Sequence, residues 1–456
     1  MMTDQEKTEG KAGGEPPVSG FPVSEMGELV RALLEVKSAF ALAAADLGAL
    51  PRAKADAVLG AVLALKADPA AFAADKSSPY PALVRALDGA LIGKADGALS
   101  KDDLELSQAS TDVYLNAANI ALYRLMGKTL EEAQKLEAAL YAKAFEFKGC
   151  PRCGRTGQRD SLPMTFGQVF AGWAAGISRA RRRLEALRLE FLEVIPGAGL
   201  LGTGFGVPPG FREKALSKLS EATGLSLKIA CEPLSPIADA AYFEAVSSHG
   251  RFLAAASAAK GLAFSLSKMA NDLYVFSSGP RTGYREFVLP AVAPGSSIMP
   301  GKLNPLMPEL VLQVSQQVYA NETFLSQTSN DLSLDTDLFA AENYNAAAES
   351  FYILTGAMRQ FTNLCAKGIT VNAGFAAREA AKSSALAEAL RIKKGKDAAQ
   401  KLKAYMKEHK ASAQDAAAAL GLLSGEGAGA LFDLVTLSNA ESSAKVLFTA
   451  EAAKEE

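Results

Sequence analysis

Histidine is nearly missing from this chain: His249 and His409 are the only two in 456 residues. A Ser-His-Asp catalytic triad is therefore poorly supported, and no Gly-x-Ser-x-Gly elbow accompanies it. Cysteine is scarce too. Four cysteines in so long a chain make no disulfide framework, which points to a reducing cytoplasm. No run reaches the roughly 18 uncharged apolar residues of a membrane span. The N-terminus, MMTDQEKTEGKAGGEPP, has no apolar signal core. Net charge is lacking as well, at −2 with a pI of about 6.0. Neither nucleic acid nor an anionic membrane is implied as a partner.

What is present is helix. The apolar fraction of 49% gives a sizeable core. Trp173, Ile177, Ala180, Leu184, Leu187, Phe191 and Val194 alternate spacings of four and three, the heptad seam of a long bundled helix. Arg179, Arg181, Arg182 and Arg183 occupy its other faces and read as a charged outer surface, as do Lys393, Lys394 and Lys396. Residues 112–147 and 244–276 also read as long helices. Leu310, Val314 and Val318 begin another. Thr129-x-x-Glu132 after Gly127 has the form of a capping box that restarts a helix. Strand-like alternation is sparse, so the expected class is all-α. Loops are expected near 148–163, 195–210, 277–286 and 293–309. The expected divisions are a flexible tail over 1–20, an N-terminal helical domain over 21–106, a central long-helix bundle over 107–372, and a small C-terminal helical domain over 373–456.

One stretch breaks the helical pattern sharply. In 293-APGSSIMPGKLNPLMPE-309, Pro294, Pro300, Pro305 and Pro308 end any helix, and Gly295 and Gly301 allow backbone angles closed to other residues. Ser296 is a hydroxyl flanked by backbone donors. Lys302 adds a positive charge and Asn304 two amide hydrogens. Together they suit a carboxylate, or an oxyanion developing beside one. A Ser/Gly/Pro surface loop is the plainer alternative. Cys150-Pro-Arg-Cys153 resembles half a zinc knuckle but lacks a second half, and it reads as two loop thiols. No metal or cofactor is expected. His249 sits in a helical pattern and reads as structural.

The stretch 295-GSSIMPGKLNPLMPE-309 closely resembles the signature loop of the fumarase/aspartase superfamily. Residues 104-LELSQASTDVYLNAANIAL-122 and 154-GRTGQRDSLPMTFGQ-168 resemble the family's first and second regions. The segments 201-LGTG-204, 243-FEAVSSH-249, 268-KMANDL-273, 278-SGPR-281 and 367-KGITVN-372 follow in order. The resemblance implies three helical domains and a homotetramer whose central bundle is made of long helices, with active sites shared between subunits. It implies reversible anti elimination from a C4 dicarboxylic acid to give fumarate. Ser296 would be the base. Lys302, Asn304, Thr156, Ser110, Thr111 and Arg159 would bind substrate, and Glu309, Gly295, Ser297 and Gly301 would support the loop. Asn-Pro-Leu-Met-Pro-Glu resembles the aspartate ammonia-lyase form of the loop more than the fumarase form.

The sequence also departs from the family. Gly157 replaces a histidine, Arg159 a glutamine and Thr111 an asparagine, and Leu115-Asn116 stands where proline-threonine is usual. The glycine-serine motif expected near 70–85 is absent, with Ser77 and Ser78 as stand-ins. Arg159 is a candidate cation for Glu309, which would otherwise be a costly unpaired buried carboxylate. Three readings follow: an aspartase with an altered substrate grip, a related lyase with another substrate, and a catalytically inactive homotetramer.

Overall fold

The computed structural model describes residues 27–67, 79–329, 334–336 and 339–449. The expected tail over 1–20 and the stand-ins Ser77 and Ser78 lie outside them. The described chain is all-α. Its only sheets are three two-stranded pairs. No described helix is long and apolar enough to cross a membrane.

The N-terminal helices α1 (Gly27–Asp46), α2 (Arg52–Ala67), α3 (Tyr80–Lys94) and α4 (Lys101–Glu105) precede the longest element, α5 (Ser110–Glu146). At 37 residues, α5 spans about 55 Å. A hairpin, β1 (Pro151–Thr156) and β2 (Arg159–Thr165), turns the chain at its far end. Helix α6 (Phe166–Arg188) then runs back. Arg181 pairs with Glu137 at 2.9 Å, and Arg188 donates to the Tyr123 carbonyl at 2.8 Å, so α5 and α6 are antiparallel. A short strand β3 (Glu193–Val194) follows, then α7 (Phe211–Thr223), β4 (Lys228–Ile229) and α8 (Ala240–Ser247).

Three further long helices complete the bundle: α9 (Gly250–Phe276), α10 (Leu306–Thr328) and α11 (Ala340–Leu364). Ser265 bonds Gly176 and Trp173 bonds Asp272, which sets α9 antiparallel to α6. Ser315 bonds the Ala263 carbonyl and Glu322 pairs with Lys260, which sets α10 antiparallel to α9. The pairs Tyr114–Tyr344 and Thr129–Thr355 make α11 parallel to α5. The bundle therefore has two distinct ends. One holds the starts of α5, α9 and α11. The other holds the hairpin and the connection 277–305, which includes β5 (Phe287–Val288) paired with β6 (Thr370–Val371).

A continuous apolar core runs from Leu29 to Ala376. A second core serves the short helices from α12 (Ala373–Ala380) to α18 (Ala440–Phe448) and takes in Cys153 from the hairpin. Helices α1 and α3 grip the first half of α5. Glu35 pairs with Arg124 at 2.8 Å. Lys37 is buried, pairs with Asp88 at 2.8 Å, and donates to the Leu104 carbonyl at 3.1 Å.

Four expectations need correction. Thr129 caps nothing: α5 is continuous, and the Thr129 hydroxyl donates to Leu125 O at 3.1 Å and meets Thr355 at 2.8 Å. Gly127 is a close-approach glycine instead, because an added Cβ would lie 2.7 Å from the Arg188 guanidinium. The expected loop at 148–163 is largely the β1–β2 hairpin. The heptad seam outlasts its helix. Phe191 and Val194 are buried, but α6 ends at Arg188, and the seam continues through the 3-10 turn Leu189–Leu192 into β3. The expected helix over 244–276 breaks at Ser248-His249, where Ser248 is extended and His249 caps α9.

Candidate active site

The stretch 293–305 folds into a compact loop with its own internal bonds. Pro294 and Leu303 form an isolated bridge, and Gly295 N–H donates to the Lys302 carbonyl at 2.7 Å. Asn304 Nδ2 donates to the Gly295 carbonyl at 3.1 Å. A Cβ on Gly295 would fall 2.7 Å from Asn304 N, so only glycine permits this closure. Asn304 thus spends one amide hydrogen bracing the loop and keeps the other. Gly301 turns the loop with φ +76°.

Ser296 sits where this bracing aims two backbone donors at its hydroxyl. Ile298 N–H and Met299 N–H donate to Ser296 Oγ at 3.2 and 3.1 Å. Such donors favour an oxygen that carries negative charge, which is what a serine needs in order to act as a base. Ser297 and Lys302 are exposed, and Lys302 forms no ion pair among the described residues. Glu309 is half-buried in the first turn of α10 and makes no ion pair with Arg159 or any other described cation. The expected cost of an unpaired carboxylate is small here, because the α10 N-terminus favours negative charge.

The hairpin places Thr156 opposite Arg159, both exposed, across the two-residue turn Gly157-Gln158. Those central residues have φ +53° and +61°, as a primed hairpin turn requires. A Cβ on Gly157 would meet nothing within 4 Å. Cys150 and Cys153 are free. Burial pushes the Cys153 thiol upward. No group of three or more His, Cys, Asp or Glu side chains able to hold a metal occurs among the described residues. His249 is buried, contacts Asn343 at 3.1 Å and stacks on Phe252.

The first region lies at the other end of the bundle. Ser110 opens α5, and Thr111 is buried with its hydroxyl 3.2 Å from that of Tyr80. Asn116 accepts from Ile195 N–H at 2.7 Å. Asp112, which sequence reasoning passed over, accepts from Ala109 N–H at 2.9 Å and Gly199 N–H at 3.2 Å. It therefore caps α5 and ties down the glycine-rich loop together. Its acidic place in the first turn was the available signal.

Burial pushes the Asp112 carboxyl up to about 7, against the pull of the two N–H donors and of Lys37. Between roughly pH 4 and 7 the folded chain keeps a proton that the unfolded chain has lost. Stability should therefore fall as pH rises through that window, by up to about 1.4 kcal/mol per pH unit from this group. Urea unfolding at pH 4.5 and 7 should show that Asp112→Asn flattens this component. An unchanged slope in the variant would contradict it.

The long axis of α5 separates the candidate residues into two groups. Ser110 and Thr111 stand at one end. Thr156 and Arg159, and the loop with Ser296 and Lys302, stand at the other, on the order of 50 Å away.

The chain matches the family described as Lyase over residues 25–320. It is 32% identical over 408 residues to the class II fumarate hydratase of Mycobacterium tuberculosis, covering 86% of this chain and 84% of that protein. It is 34% identical over 371 residues to the aspartate ammonia-lyase of Pseudomonas aeruginosa, covering 78% of this chain and 76% of that protein. Among solved structures it resembles a fumarate lyase:delta crystallin from Brucella melitensis, with a TM-score of 0.85, 29% identity and 93% of each chain covered.

Proposed function

The chain belongs to the fumarase/aspartase superfamily of lyases, and from that premise we propose that it catalyses reversible anti elimination from a C4 dicarboxylic acid, with L-aspartate as substrate and fumarate and ammonia as products. The observation that carries this reading is the Ser296 hydroxyl held by two backbone N–H groups. Deprotonated, it takes the proton from C3. The electron pair moves into the adjacent carboxylate as an aci-carboxylate. Lys302 and the spare Asn304 amide hydrogen hold that charge, and its collapse forms the double bond as the amine leaves C2. No metal or redox cofactor is needed to balance these steps.

Because Ser110 and Ser296 lie at opposite ends of one chain, a complete site requires more than one copy. A homotetramer with shared sites is the arrangement we propose. The start of a 37-residue helix at Ser110 supplies a positive dipole end for a carboxylate. Arg159 supplies a further cation at the hairpin tip.

Fumarate absorbance in the ultraviolet tests the reading, first with L-aspartate and then with L-malate. Turnover of malate alone would favour a hydratase. No turnover of either acid by an intact oligomer would favour the inactive reading, which the burial of Thr111 under Tyr80 supports. Arg159→Gln should raise KM for the active acid by about tenfold. An unchanged KM would remove Arg159 from the substrate grip.

A further inference from the structure

Glu286 ends the loop 277–286, and from there it joins the hairpin, the end of α9 and the stem of the Ser296 loop. Its carboxylate takes Arg152 at 2.7 Å and Arg155 at 2.6 Å, both from strand β1 of the hairpin. Glu286 and Arg152 are almost fully buried. The two guanidiniums stand over Phe276, at 4.6 and 5.3 Å from the ring centre, and Arg155 also covers Tyr284 at 4.7 Å. The Glu286 backbone is fixed as firmly. Its N–H donates to the Phe276 carbonyl at the end of α9, and its carbonyl accepts from Asn372 N–H.

The chain leaves Glu286 in both useful directions. Forward, β5 pairs with β6, and Pro290 presses on Gly368, where a Cβ would sit 2.7 Å from the proline ring. Ser296 follows within a few residues. Across the ion cluster, Arg155 immediately precedes Thr156 at the hairpin tip. One carboxylate thus sets both the stem of the Ser296 loop and the strand that presents Thr156 and Arg159.

We propose that Glu286 is a positioning residue that registers the hairpin tip against the Ser296 loop, acting through Arg152 and Arg155. The effect on turnover rests on the function proposed above, whereas the mechanical coupling does not. Buried ion clusters are seldom kept for net stability, since well-packed apolar groups can replace them at little cost. Holding two loops in register is a role that apolar groups could not fill, because charge-assisted N–H···O bonds, from Arg152 to one carboxylate oxygen and from Arg155 to the other, fix direction as well as distance.

Two variants of the full-length protein test this. Glu286→Gln keeps the volume but turns an amide N–H toward one guanidinium. Arg155→Met removes one arm and leaves an apolar chain against Phe276 and Tyr284. Leu184→Ala, a buried bundle position remote in sequence from both loops, serves as the control for stability loss alone. The expected result is that kcat for fumarate formation falls about tenfold or more in both charge variants and stays near the wild-type value in the control. Amide hydrogen exchange should quicken together in 154–160 and 287–304. Exchange that quickens in the hairpin alone, or unchanged kcat in both charge variants of an active enzyme, would overturn the proposal. If the wild-type protein turns over neither acid, the functional reading fails separately, and joint or unlinked exchange still decides the coupling.

Discussion

Replacing Ser296 by alanine should lower fumarate formation by about 10³-fold, which is near the upper part of what a positioned proton acceptor contributes. Both kcat and kcat/KM should fall, because proton removal occurs on the way to the transition state and the hydroxyl adds little to ground-state binding. The fold should be untouched. Ser296 lies on an open loop, and the two N–H groups it releases, from Ile298 and Met299, belong to exposed residues that water can reach. The bonds that shape the loop, Gly295 to Lys302 and Asn304 to Gly295, do not involve the hydroxyl. Stability should therefore change by no more than about 0.5 kcal/mol. Steady-state rates together with a thermal melt check both halves. Retention of more than about a tenth of the wild-type rate would remove Ser296 as the base.

Much of this layout could be read from local patterns, because local patterns created it. The seam from Trp173 to Leu184 is buried as its spacing demands, since a period near 3.5 leaves one face no other place to go. The prolines and glycines of 293–309 marked a break that the structure turns into a braced loop. What stayed hidden depends on neighbours distant in sequence. Thr129-x-x-Glu132 has the letters of a capping box, but α5 is packed against α11 along its length, and tertiary contact keeps the helix going. The burial of Thr111 depends in the same way on Tyr80, 31 residues earlier, whose hydroxyl lies against it. The role of Glu286 is invisible without the 134-residue jump to Arg152. The turn at Gly157-Gln158 is a middle case. Its glycine was legible as a departure, yet only the positive φ of both residues shows that the hairpin itself makes use of it.

Mixing two inactive variants should restore activity. Ser296→Ala disables one end of the chain. Ser110→Glu disables the other, by setting a carboxylate at the first position of α5, where the helix dipole tolerates it but a dicarboxylate substrate is repelled. Each variant alone should be close to inactive. In oligomers reassembled from equal amounts of both, a site that draws Ser296 from one copy and Ser110 from another is free of both defects about one time in four, so about a quarter of wild-type activity should return. Length separates the two residues. A helix of 37 residues holds its ends about 55 Å apart, and no substrate of four carbons bridges that distance. Within one chain, therefore, Ser110 and Ser296 cannot grip the same molecule. If the mixture stays as inactive as its components while size-exclusion and tag pull-down show mixed oligomers, Ser110 takes no part in the site that Ser296 serves. The carboxylate would then have to be held wholly at the hairpin end, by Lys302, Asn304 and Arg159.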